Sequence, residues 1–333
     1  MKSPFLISEP NPELDIVSYG RRGTERPLHF TPVQIAQIAR TVRGAPEVMV
    51  KVSGGAHTTR GVAAHFGYIS RRGELEIETD DGERMVGKEV GAKLIDDWDL
   101  DLDALLDNWA SMERGGRRNP KLVHNIILSM PSKTPPARLL AASRDFAREE
   151  FALKHRYAMV LHTDQAHPHV HLVVSAHDRE DGRLNINKAG LRRWREQFAR
   201  HLRNHRIEAN ATPAQLRGRL SNHPKDGIYR AAQRGESRVE WRRERRAIQA
   251  AEARTAHQVP GLSRIVQTAE AVRHDWLTTS AQLERQGLGS LAADVERFRQ
   301  SLKVPLTRQE RAETIARRGS VDRSPVQQLE LAR

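Results

Sequence analysis

The chain has 333 residues, a formal net charge of +13 at pH 7 and no cysteine. The missing thiols exclude disulfides, thiolate zinc sites and cysteine nucleophiles, leaving His, Asp, Glu and Tyr to carry any chemistry. The positive excess attracts polyanions, a phosphate backbone above all, although a purely structural nucleic-acid-binding protein satisfies the composition equally well. No run reaches the roughly 18 apolar residues that span a bilayer, and the start, MKSPFLISEPNPELD, lacks the apolar core of a signal peptide, so a cytoplasmic protein without membrane insertion is expected.

Residues 1–45 read as an N-terminal arm around one helix, TPVQIAQIARTV, capped by Thr31 with Pro32 in its first turn. From 46 the character changes. EVMVKVS alternates as a strand, TTRGVAAHFGYISRR has helical spacing of Val62, Phe66 and Ile69, and a turn at Arg72-Gly73 leads to the short strand LEIET. LDLDALLDNWASM reads as a helix, RGGRRNP as a basic turn, LVHNIILSM as an apolar run and TPPARLLAASRDFAREEF as a further helix. YAMVLHT and HVHLVVSAH, joined by the polar DQAHP, outline a β-hairpin. KAGLRRWREQFARHLRNH is an arginine-studded helix that closes a domain of residues 46–215. Residues 216–333 are a basic, mostly helical extension containing WRRERRAIQAAEARTAH, a weaker helical pattern over 261–302 and a tail, SVDRSPVQQLELAR, expected to be mobile. The fold class is therefore α+β: a central antiparallel sheet with helices on its faces and the hairpin at its middle, followed by the helical basic region.

The hairpin carries the chemistry. Fifteen histidines in 333 residues amount to about 0.45 per window of ten, yet His162, His167, His169 and His171 share one window with Asp164. Side chains alternate along a strand, so His169 and His171 point one way, as do His162 and Asp164 on the strand before, and across a tight hairpin the two pairs meet. Three imidazoles from adjacent strands make a divalent-metal site with open positions for an oxygen ligand. A cluster of solvated histidines is the weaker reading, because burying imidazoles on so apolar a run without a ligand is costly. A purely structural metal site survives on these residues alone. His167 stays out of the ligand set because Pro168 fixes the turn after it. Asp164 has two open roles: accepting a hydrogen bond from the outer nitrogen of a metal-binding imidazole, or taking a proton from a nucleophile.

HTDQAHPHVHLVV resembles the third motif of the HUH relaxases, particularly the P-type mobilisation and T-DNA-transfer relaxases. Upstream, SGGAHTTRGVAAHFGYISRRGELEI is similar to the family's first motif, which places the nucleophile at Tyr68, and IILSMPSKT resembles the second, whose DNA-contacting serine corresponds to Ser129. Three motifs in this order are a specific signal, and it covers roughly residues 46–215. The resemblance implies His162, His169 and His171 as ligands, with Asp164 behind them. It implies magnesium or manganese in use, although zinc or nickel would bind such imidazoles more tightly. It also implies nicking of single-stranded or supercoiled DNA at an origin of transfer, by a tyrosine that ends as a 5′-phosphotyrosine beside a free 3′-hydroxyl.

The residue types suit that reaction. A phosphodiester is anionic, so a cation on it neutralises charge and aligns in-line attack. A free phenol holds its proton to a pKa of about 10, so a nearby cation and an acceptor are needed to reach the phenolate near neutrality. Arg71 and Arg72, next to Tyr68, are candidate phosphate contacts; Arg192, Arg193 and Arg195 are candidate DNA contacts or a solvated helix face; Trp194 is a candidate for stacking on unpaired bases. The basic C-terminal region suits duplex binding, a relaxosome accessory protein or a type IV secretion coupling protein. Rolling-circle initiators and single-strand transposases use the same groups, but usually with the tyrosine after the histidines rather than before them. A noncatalytic metal-containing DNA-binding module would bind DNA and leave it uncut.

Overall fold

The computed structural model describes residues 29–113, 120–178, 180, 182–218, 226–239, 241, 242, 245 and 262–302. Most of WRRERRAIQAAEARTAH, the basic RGGRR segment and the C-terminal tail fall outside the described residues. The described residues divide into two compact units, one over residues 43–211 and one joining residues 29–42 to those from 212 onward.

The larger unit is built on a six-stranded sheet. Its strands are β1 (Met49–Ala56), β2 (Ile77–Thr79), β3 (Arg84–Met85), β4 (Val123–Ser129), β5 (Tyr157–His162) and β6 (His169–Ser175), in the order β1-β4-β6-β5-β2-β3. Every pairing is antiparallel. The sheet is thus the central antiparallel sheet expected, with the histidine hairpin β5–β6 at its middle. β6 is buried along its whole length, which explains why HVHLVVS lacks the alternation of a half-exposed strand. β1 shifts register between Val52 and Gly54, where Gly55 has φ +151° and a Cβ would meet the Val123 carbonyl at 2.2 Å.

Helices cover both faces. α1 (Pro32–Val42) belongs to the smaller unit; the larger contains α2 (Thr59–Ile69), α3 (Val90–Asp97), α4 (Leu100–Glu113), α5 (Pro136–Phe151) and α6 (Lys188–Asn204). One face of the sheet buries Ile126, Leu128, Met159, Val170 and Leu172 against Phe146 and Phe151 of α5 and Trp194 and Phe198 of α6. The other buries Val123, Val160 and Val173 against Val62, Phe66 and Ile69 of α2 and Leu94 of α3. Each fully buried aliphatic or aromatic side chain contributes about 1.5–3 kcal/mol, so these stripes fix which helix lies on which face. α2 starts at Thr58, whose hydroxyl accepts from the Gly61 N–H at 3.1 Å, and α6 starts at Asn187, whose side chain accepts from the Gly190 N–H at 2.8 Å.

In the smaller unit α1, a short 3₁₀ turn (Ala214–Arg217), α7 (Asp226–Gln233), α8 (Leu262–Arg285) and α9 (Gly289–Ser301) are all helical. Phe30 and Ile38 share a core with Leu216, Val272, Trp276 and Val295, and the Trp276 indole donates to the Leu216 carbonyl at 2.9 Å. Among the described residues, no helix is long and apolar enough to cross a membrane.

Candidate metal centre and nucleophile

The antiparallel register sets His162 opposite His169 and His171 opposite Val160, so all three imidazoles emerge on the α2 side of the sheet. Their ring centroids are 4.5–5.1 Å apart, and one nitrogen from each lies within 4.8 Å of the others. All three are buried. Burial pushes the His162 pKa down, and it pushes His171 down to about 3, with the neighbouring imidazoles adding to the effect. His162 and His171 therefore stand as neutral rings with lone pairs to offer.

The backbone decides which nitrogens those are. His162 Nε2 lies 2.6 Å from the Ile69 carbonyl and His169 Nδ1 lies 3.0 Å from the His167 carbonyl. A carbonyl only accepts, so these two nitrogens carry the hydrogens, and His162 Nδ1 and His169 Nε2 keep the lone pairs. His171 Nδ1 is buried without a hydrogen-bond partner. Oriented imidazoles backed by carbonyls, with an unsatisfied nitrogen among them, fit a divalent cation.

Tyr68, the last residue but one of α2, is 63% exposed, while Val62, Phe66 and Ile69 of the same helix are buried. The hydrogen bond from His162 to Ile69, the residue after Tyr68, ties the end of this helix to the histidine cluster. Beyond it the chain turns through Arg71 (φ +53°), Arg72 (φ +60°) and Gly73 (φ +88°). Left-handed backbone costs a non-glycine residue roughly 1–2 kcal/mol. Main-chain bonds hold the turn, including Arg72 N–H to the Gly67 carbonyl at 2.7 Å and Leu75 N–H to the Ser70 carbonyl at 2.8 Å. At Gly73 a Cβ would meet the Gly87 backbone at 2.3 Å.

This turn aims Arg71 inward. Its guanidinium donates to Asp164 Oδ2 at 2.7 Å, faces His162 Nδ1 at 3.3 Å and has its carbon 5.5 Å from the centre of the Tyr68 ring. Asp164 lies beyond the end of β5, with Oδ1 4.0 Å from His162 Nδ1. The hydrogen bond from Arg71 holds the Asp164 carboxyl below the usual carboxylate range. A carboxylate so engaged is a poor proton acceptor, and the hydrogens on the outer nitrogens of His162 and His169 go to main-chain carbonyls instead.

The other candidates are spread differently. Ser129 sits opposite His169 in the sheet, buried, with its hydroxyl donating to the Pro168 carbonyl at 3.3 Å. Arg72 is exposed, four residues after Tyr68. Arg192, Arg193, Trp194 and Arg195 belong to α6, on the opposite face of the sheet from the imidazoles. Arg192 is exposed, Arg193 pairs with Glu150, and Arg195 donates to the Val50 carbonyl at 3.4 Å. Trp194 is core: it is 2% exposed, packs against Phe151 with centroids 5.3 Å apart and donates its indole N–H to Glu150 at 2.6 Å. So enclosed a ring has no face left for a base to stack on.

His65 escaped the sequence reading. It lies on α2 three residues before Tyr68, has a pKa lowered by burial and leaves Nε2 buried without a hydrogen-bond partner. It is close enough to influence His171 electrostatically. Its spacing of one helical turn from Tyr68 was the available signal.

Residues 78–207 match the family model of the relaxase nuclease domain, MobA/VirD2-like. Over those residues the chain is similar to a relaxase nuclease domain. It is 27% identical over 143 residues to the T-DNA border endonuclease VirD2 of Rhizobium rhizogenes and 26% identical over 143 residues to that of Agrobacterium fabrum. Each alignment covers 39% of this chain, and 31% and 30% of the respective relative, so the likeness spans under a third of those proteins. The family match takes in the histidine hairpin and Ser129 and begins after Tyr68.

Proposed function

We propose that this protein is a DNA relaxase, a strand-specific endonuclease that nicks one strand at an origin of transfer, keeps its 5′ end as a phosphotyrosine on Tyr68 and so begins conjugative or mobilisation transfer. One observation carries the reading: the helix bearing an exposed tyrosine is hydrogen-bonded at its last turn to a cluster of three convergent imidazoles. His162, His169 and His171 would hold a divalent cation, magnesium or manganese in use. When bound, that cation supplies charge neutralisation at the scissile phosphate.

The remaining work falls to the chain. Tyr68 presents its phenol at the open end of α2, where the oxygen bonds to phosphorus as the P–O3′ bond breaks; the phenolic proton leaves, and the departing oxygen gains one to become a 3′-hydroxyl. Arg71 supplies a fixed positive charge beside phenol and phosphate, and Asp164 orients it. Arg72 and Ser129 contact the strand near the cleavage point. Reversing the step rejoins DNA, so no nucleotide cofactor is needed.

Residues 46–215 form the nuclease domain in this proposal, preceded by the arm of residues 1–45. Residues 216–333 engage duplex DNA, an accessory relaxosome protein or a secretion coupling protein. The setting is the cytoplasm of the donor cell, with passage of the DNA-linked protein to a recipient. Supercoiled plasmid carrying the neighbouring intergenic DNA, incubated with manganese and then detergent and protease, tests the reading. Relaxed circles are expected with the natural chain and none with Tyr68→Phe, which should still bind. Unimpaired nicking by that variant removes the assignment.

A further inference from the structure

The turn after α2 sets a guanidinium on the lone pair that a cation at the histidines would need. Arg71 Nη2 carries two hydrogens: one goes to Asp164 Oδ2 at 2.7 Å and the other faces His162 Nδ1 at 3.3 Å. Nδ1 is the accepting nitrogen of that ring, because Nε2 gives its hydrogen to the Ile69 carbonyl at 2.6 Å. One lone pair serves a donor hydrogen or a cation, never both at once. The guanidinium is held there by polar contacts rather than by packing: the side chains of Arg71 and Asp164 are 30% and 52% exposed, and Nη1 adds only a 3.5 Å contact to the Tyr68 carbonyl. Main-chain bonds at Arg72, Gly73 and Leu75 hold the turn without it. A turn alone would be served better by glycine at a φ of +53°. What residue 71 adds is its charged side chain.

We propose that Arg71 is an exchangeable occupant of the metal centre and makes cation binding depend on DNA. Without a strand, the guanidinium caps His162 Nδ1 and its charge opposes a cation at the three imidazoles. A phosphate of the incoming strand matches the planar fork of donors better than a ring nitrogen does. Arg71 then gives up the longer contact, keeps the shorter one to Asp164, and turns its free edge to the phosphate. His162 Nδ1 is released to act with His169 and His171. Strand and cation thus favour each other through one side chain, and the centre is completed only when substrate is present. The coupling is reciprocal: the strand tightens the cation by the factor by which the cation tightens the strand.

This inference rests on the relaxase reading, and the two can fail separately. Finding which residue bears the covalent product tests the reading without reference to Arg71, whereas equilibrium binding tests the inference without a cut. Full-length chain carrying Tyr68→Phe, which blocks cleavage, is titrated with manganese by calorimetry, alone and with a single strand from the neighbouring intergenic DNA. Anisotropy of the same strand, fluorescently labelled, gives the reciprocal measurement. The strand is expected to tighten manganese by roughly tenfold or more. Adding Arg71→Gly, which suits the left-handed backbone, should raise the strand-free manganese affinity and shrink the coupling factor. Arg71→Ala, which keeps a Cβ, should agree with it, and thermal melting checks that both variants are folded. A strand that leaves manganese affinity where it was overturns the proposal. So does a coupling factor that both Arg71 variants leave unchanged, a strand-free affinity that neither raises, or manganese that binds in neither condition.

Discussion

Arg71 donates to Asp164 Oδ2 at 2.7 Å while facing the lone pair of His162 Nδ1 at 3.3 Å. The guanidinium thus sits where it would repel a cation bound by His162, and beside the Tyr68 phenol. Arg71→Ala is expected to tighten manganese binding by roughly tenfold, since a nearby positive charge is removed, and to slow cleavage. Titration calorimetry with manganese, paired with single-turnover cleavage, separates the two effects. Unchanged or weaker manganese affinity would contradict the geometry.

The three imidazoles should not be equivalent to the fourth. His169→Ala or His171→Ala removes a direct ligand and should weaken manganese binding by at least the roughly 10–100-fold typical of losing a supporting partner. His167→Ala should leave affinity unchanged, because His167 serves His169 through its main-chain carbonyl, which alanine keeps. Equal losses from all three variants would place the site elsewhere in the hairpin.

Glu196 on α6 gives a pH signature separate from the chemistry. Burial raises its pKa to about 7, and its Oε1 is buried without a partner. Between the ordinary glutamate pKa and 7 the folded state binds more proton than the unfolded state, so this residue costs stability as pH rises through that window. Glu196→Gln should melt like the natural chain near pH 4 and above it at pH 8. A variant less stable than the natural chain at pH 8 would show that the carboxylate has a favourable partner there.

Trp194 separates packing from DNA contact. Trp194→Ala should cost about 3–5 kcal/mol of stability, as large-to-small changes in a core do. Trp194→Phe, which keeps most of the volume, should keep single-strand affinity. Affinity lost in the phenylalanine variant at unchanged stability would return the indole to the DNA interface.

Much of this was legible because it is local. The alternation in HVH and the polar break DQAHP announce the hairpin, and the helical spacing of Val62, Phe66 and Ile69 leaves Tyr68 on the outer side of its helix. Trp194 stands among arginines in the sequence, yet Leu191, Trp194, Phe198 and Leu202 form a stripe at helical spacing, the side that the core buries. What stayed hidden depends on distant partners. Asp103 and Asp107 turn inward only because His177 and Arg183 are there, and Asp164 meets Arg71 only because two successive residues after Tyr68 adopt left-handed backbone. The sharing of one core by α1 and the C-terminal helices is likewise a tertiary fact that no local pattern encodes.

The most direct measurement is to trap the covalent product and find the residue that bears it. Full-length protein is incubated with manganese and a labelled single strand spanning the nick, digested, and the nucleotide-bearing peptide sequenced by mass spectrometry. The account predicts a single adduct on Tyr68, linked through the 5′ phosphate, that chelator abolishes. An adduct on another residue, or a cut strand with no protein attached, would contradict it.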